Sequence, residues 1–245
     1  IIQMNYAQYI TELKLQLQYH SELNPKLWDD FTLKPQVREK LLQFGEVWRD
    51  YAKIPESAVK EIIMLGGNAN YNYTDKSDID VHVVVDKSLI SKDNPLLDDY
   101  LQDKKQMWTM SHKITILGYG LEPYAQDVSV EYPKNQGVYS LTKDEWIHKP
   151  VFVGDEMLKD PYLKKKVKFY MKMIDDMIDN HVDLDSVKHF KEKMRDMRGA
   201  AIKRGGEFSF ENLVFKELRN QGYLDKLSDY QRKRTGCWTR RSLLK

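Results

Sequence analysis

One segment constrains the fold more than any other. From Glu61 to Asp86 the chain reads Glu-Ile-Ile-Met-Leu-Gly-Gly-Asn-Ala-Asn-Tyr-Asn-Tyr-Thr-Asp-Lys-Ser-Asp-Ile-Asp-Val-His-Val-Val-Val-Asp. The apolar runs at 62–65 and 81–85 are rich in β-branched residues and bounded by turn formers, which predicts two buried strands. Alternate side chains of a strand share a face, so Asp78, Asp80 and His82 point one way and Ile79, Val81 and Val83 the other. Two carboxylates side by side repel unless a cation holds them. A hard divalent ion, magnesium first, suits their oxygens. The paired glycine Gly66-Gly67 just before them lets backbone N–H groups approach phosphate oxygens. Together these features point to a site for a metal-bound polyphosphate.

The ordered set of strand, paired glycine, ten residues between Gly67 and Asp78, Asp-Ile-Asp and second strand resembles the DNA-polymerase-β-like nucleotidyltransferase superfamily. The resemblance implies an α+β fold, with a nucleotidyltransferase-type mixed β-sheet flanked by helices and an additional C-terminal helical domain. It implies transfer of a nucleoside monophosphate from a nucleoside triphosphate, expected to be ATP, to an acceptor hydroxyl with release of pyrophosphate. Asp78 and Asp80 would bind Mg2+ or Mn2+, and Gly66, Gly67 and Ser77 would contact the nucleotide. Many relatives carry serine at the second glycine; here backbone contacts at Gly67 must suffice.

Two-metal transfer needs a third carboxylate from a neighbouring strand. Residues 121–127, Leu-Glu-Pro-Tyr-Ala-Gln-Asp, are similar to a family strand of the form apolar-Glu-apolar-Tyr-apolar-Gln-Asp, which selects Glu122. Asp127 and Glu131 remain alternatives. Pro123 departs from that form and implies an edge, a bulge or a strand end. Stretches 23–29, 137–150 and 207–226 are similar to virus-encoded nucleotidyltransferases, so the resemblance covers most of the chain. The acceptor stays open among RNA such as tRNA, protein and a small molecule. Two other readings stand beside this one: a non-catalytic, antitoxin-like nucleotide- or RNA-binding module of the same fold, and a cyclic-oligonucleotide synthase.

The rest of the chain frames this segment. Helical spacing of Tyr6, Tyr9, Ile10, Leu13 and Leu17, and of Val37, Leu41, Phe44, Trp48 and Tyr51, predicts helices before it, with Pro35 at a helix start. Asn94-Pro95 opens another helix reaching about His112. Strands broken near Gly118 and Gly120 follow, then a hairpin turning at Lys143-Asp144. Helices are expected from Asp160 onward, with Gly205-Gly206 as a stop, Ser209 as an N-cap and Gly222 as a second stop. This divides the chain into a catalytic domain over 1–150 and a helical domain with a basic tail over 151–245.

Lys164, Lys165, Lys168 and Lys172 read as one polar helix face. Arg232, Lys233, Arg234, Arg240, Arg241 and Lys245, with Tyr230 and Trp238 interleaved, form a basic tail suited to RNA or triphosphate. The net charge of only +2 does not by itself announce a nucleic-acid partner. No apolar run is long enough to span a bilayer. The single cysteine, Cys237, fits a reducing compartment, so the expected location is the cytoplasm, that of the host for a virus-encoded protein. Phosphate-loop, dinucleotide-binding, serine-elbow and lysyl-nucleotide signatures are all missing from the sequence. The histidines show no zinc spacing.

Overall fold

A computed structural model describes residues 13–92, 94–133 and 135–235. They form two compact units, Tyr19–Val153 and a second made from 154 onward together with the residues preceding Tyr19.

In the first unit a two-residue ladder, β1 (Trp28–Asp29) and β2 (Thr32–Leu33), leads into α1 (Pro35–Tyr51). Pro35 opens that helix as expected, since a missing N–H costs nothing in the first turn. Its stripe of Val37, Leu41, Phe44 and Trp48 is buried. The two predicted strands are β3 (Val59–Leu65) and β4 (Ile79–Val85), paired antiparallel. α2 (Leu97–Ser111) then crosses over, through β5 (Thr115–Ile116), to β6 (Tyr119–Asp127), which runs parallel to β4. A long connection of this kind is what a parallel pair requires. The hairpin β7 (Val138–Ser140) and β8 (Glu145–His148) completes a six-stranded sheet in the order β5-β6-β4-β3-β7-β8. With antiparallel and parallel neighbours together, the sheet is mixed, as expected.

The alternation of β4 decides which face is buried. Ile79, Val81, Val83 and Val85 are fully buried, as is Met64 of β3, with Ile62 nearly so. They join the stripe of α1 and Leu97, Leu101 and Trp108 of α2 in one core. The opposite face carries a small apolar cluster, Ile63, Leu65, Val84 and Val138, beside polar side chains. β5 pairs only with the first two residues of β6, so Pro123 falls on an edge, where a missing ladder donor is tolerated.

In the second unit, the short α3 (Glu156–Lys159) precedes α4 (Pro161–Asp179), α5 (Leu184–Gly205), α6 (Phe210–Asn220) and α7 (Tyr223–Arg234). Gly206, at φ 69°, stops α5, and Gly222, at φ 80°, separates α6 from α7. Among the described residues no helix is long and apolar enough to cross a membrane.

Two sequence expectations are corrected here, and a third holds in position only. Residues 13–18 are not helical. Their backbone is taken up instead by the buried carboxylate of Glu217, which accepts from Gln16 N–H at 2.9 Å and Leu17 N–H at 2.9 Å; Tyr6, Tyr9 and Ile10 lie outside the described residues. Lys168 is buried at 5% exposure, so it leaves the solvated lysine face. Ser209 holds the N-cap position of α6 but makes no side-chain capping bond.

Of the basic tail, Arg240, Arg241, Lys245 and Trp238 lie outside the described residues, as does Cys237. Arg234 donates to the carbonyls of His181 and Val182 and to the Tyr230 hydroxyl. Arg232 pairs with Asp229. Arg234 is therefore engaged within the second unit, whereas Arg232 is exposed in a pair on its own helix.

Candidate active site

The turn after β3 is built for close approach. Gly66 adopts φ 81° and ψ −164°, a conformation essentially confined to glycine. A Cβ there would stand 1.8 Å from Oδ2 of Asp80. The glycine is thus what lets the turn lie against the Asp80 carboxylate. Asp78, just ahead of β4, has its Oδ1 3.1 Å from where a Cβ on Gly120 of β6 would sit. The parallel register pairs Asp80 with Glu122 and His82 with Tyr124, and paired residues share a face. Glu122 therefore stands beside Asp80, with Asp78 near the same end of β6.

The alternatives to Glu122 fall elsewhere. Asp127 pairs with Val85 at the far end of β4, about 16 Å away at the rise of a strand. Its carboxylate accepts from Ser129 O–H and N–H and from Lys87 N–H. The Ser129 hydroxyl is the main reason its pKa lies below the usual carboxylate value, with the two amides adding to it against the opposing effect of burial. Glu131 is exposed in the following loop.

The loop between glycines and aspartates is held by asparagines that sequence reasoning missed. Asn68 donates to the Asp78 carbonyl at 3.0 Å and accepts from Asn24 at 2.8 Å. Its own carbonyl accepts from Trp28 Nε1 at 2.8 Å. Asn70 donates to the Gly66 carbonyl at 2.7 Å and accepts from Gly137 N–H at 2.8 Å. Gly137 allows that approach, because a Cβ there would meet the Ala69 carbonyl at 2.1 Å. The signal was the alternation Asn68-Ala-Asn70-Tyr-Asn72, but polar residues in a loop give no sign of being buried. Asn70→Ala is expected to cost about 2 kcal/mol, since it strips buried backbone groups of their partner. Urea unfolding checks this. Ser77 is also buried, and its hydroxyl accepts from Thr74 N–H at 2.9 Å, closing the same loop.

Behind the carboxylates, His82 Nδ1 lies 2.7 Å from Gln126 Oε1, and its ring centroid is 4.9 Å from that of Tyr124. Burial lowers the His82 pKa from 6.5 to about 4; Gln126 and Glu122 oppose the shift and Lys105 adds to it. The fold thus favours neutral His82. Its contribution to stability is complete above pH 6.5 and is lost as pH falls from 6.5 toward 4. His82→Gln should flatten that part of the profile by roughly 3 kcal/mol, read as the difference between unfolding free energies in urea at neutral and acidic pH. Parallel profiles for the two proteins would contradict it.

From α2, Lys105 Nζ reaches Glu122 Oε2 at 3.4 Å. Among the described residues no three His, Cys, Asp or Glu side chains are grouped closely enough to hold a metal ion as they stand. The chemistry of the donors still fits a hard cation. Asp78 and Asp80 offer only carboxylate oxygen, and Glu122 is the same-face neighbour of Asp80.

No protein-family model and no curated protein matches the chain. Three solved bacterial structures overlap with it weakly. The CdnE cyclic dinucleotide synthase of Elizabethkingia meningoseptica with GTP and Apcpp is 14% identical, over 79% of this chain and 74% of that one, at a TM-score of 0.27. The STING-associated CdnE c-di-GMP synthase of Capnocytophaga granulosa is 14% identical, over 82% and 81%, at 0.23. The CdnC:HORMA-deltaN complex of E. coli MS115-1 gives 13% identity, over 68% of each chain, at 0.23. Likeness at this level defines no shared activity. The resemblance to virus-encoded proteins finds no support in it.

Proposed function

We propose that the protein is a metal-dependent nucleotidyltransferase, moving a nucleoside monophosphate from a triphosphate, ATP first, onto an acceptor hydroxyl with release of pyrophosphate. One observation carries this reading: the Gly66 turn lies against the Asp80 carboxylate while the parallel strand sets Glu122 beside the same aspartate. Asp78 and Asp80 would hold Mg2+ or Mn2+, with Glu122 as the third ligand. Such ions supply charge neutralisation for the triphosphate and activation of the attacking oxygen.

The chain's own part is placement. The paired glycine Gly66-Gly67 would bring backbone amides toward phosphate oxygens. Ser77 and the asparagines keep that turn in place against β4. Neutral His82, bonded to Gln126, orders the floor without adding charge beside the carboxylates. Positioning and electrostatics of this kind carry most of the rate in phosphoryl transfer.

The test is a panel of α-labelled nucleoside triphosphates with Mg2+ or Mn2+, with and without cell RNA and protein, and with Asp80→Ala alongside. Label moving into RNA, protein or a small molecule names the acceptor class. Label in a small molecule made without added acceptor would place the protein with cyclic-nucleotide synthases. Equal transfer by Asp80→Ala would contradict the assignment.

A further inference from the structure

We propose that Lys105 is a positioning residue that keeps Glu122 off the Asp78–Asp80 pair and thereby sets the metal affinity of the site; this rests on the nucleotidyltransferase reading of those carboxylates. Asp80 and Glu122 are register partners on one face, and Asp78 lies close by. Three like charges so placed need compensation. For Glu122 the Lys105 ammonium provides it, 3.4 Å from Oε2, on a side chain only 25% exposed.

The same ammonium lies 5.4 Å from the ring centroid of Tyr124, the next residue after Glu122 on that face. Lys105 therefore has two adjoining attractions, a carboxylate and the negative face of an aromatic ring. A divalent ion at the aspartates competes with the ammonium for Glu122. When the carboxylate turns to the ion, Lys105 keeps its place over Tyr124. The lysine acts as a built-in counter-ion that yields to metal. Its position one turn before Trp108, which is buried in the core, fixes where its stem starts.

Mn2+ binding, followed by the electron paramagnetic resonance signal of free Mn2+, tests this on the full chain. Lys105→Met should bind Mn2+ about three- to tenfold more tightly than the unaltered protein, the scale of a half-exposed ion pair, whereas Lys105→Arg should stay close to it. In a Glu122→Gln background the effect of Lys105→Met should largely vanish, because the competition runs through that carboxylate. Unchanged or weaker binding by Lys105→Met, or an equal gain in the Glu122→Gln background, overturns the proposal. If Asp80→Asn abolishes binding in the same series, the carboxylate assignment survives that result. Mn2+ binding that persists undiminished in Asp80→Asn overturns both.

Discussion

Asp80→Asn should lower nucleotidyl transfer by at least about a thousandfold, some 4 kcal/mol of transition-state stabilisation, while the protein unfolds in urea within about 1 kcal/mol of the unaltered chain. The expectation follows from where the side chain lies. Asp80 is on the face of β4 opposite the core, and its strand is held by Ile79, Val81, Val83 and Val85 on the other side. Replacing one carboxylate oxygen by an amide keeps the shape and removes the charge that a cation needs. Asp78→Asn should behave alike, since its carboxylate sits near Gly120 at the same end of β6. Steady-state turnover and a denaturation curve on the same preparation separate the two effects. A variant that loses activity only because it unfolds would not support the assignment.

Gly66→Ala has the second large effect, and it strikes fold and chemistry together. The backbone at φ 81° and ψ −164° suits only glycine, which alone costs about 1–3 kcal/mol in another residue. The added methyl would also overlap Asp80 Oδ2 at 1.8 Å. Either the turn opens or the carboxylate leaves its place. We expect a fall of about 3 kcal/mol or more in unfolding free energy, taking strain and overlap together, and no measurable transfer. Retention of both stability and turnover would show that the turn is not what positions Asp80.

Much of the sheet was legible because its residues state their own periodicity. The β-branched runs of β3 and β4, the glycines between them and the alternation that separates Asp80 from Val81 are local features, and the strands formed where they point. Pro35 likewise marks the start of α1. What stayed hidden depends on partners far along the chain. That Glu122 stands opposite Asp80, and Asp127 at the other end of β4, is decided by the register of two strands joined through α2. The spacing of Leu13 and Leu17 looked helical, yet the segment is not a helix and the Glu217 carboxylate accepts from its backbone at Gln16 and Leu17. Lys168 looked solvated, yet its neighbours close over it. Asn68 and Asn70 looked like loop surface, and the structure makes them the internal bonds of the loop. The residues proposed to bear the chemistry are marked by type and order. Those that place them are not, because their role exists only once the loop, β7 and β4 have come together.

The central claim is that the Asp78–Asp80 pair beside the Gly66 turn performs nucleotidyl transfer with a divalent ion. Pyrophosphate release from nucleoside triphosphates, measured with Mg2+, with Mn2+ and with a chelator, addresses it most directly. The account predicts release that depends on the ion, stops in the chelator and is lost in Asp80→Asn. Release that continues in the chelator, or at the same rate in Asp80→Asn, would contradict it.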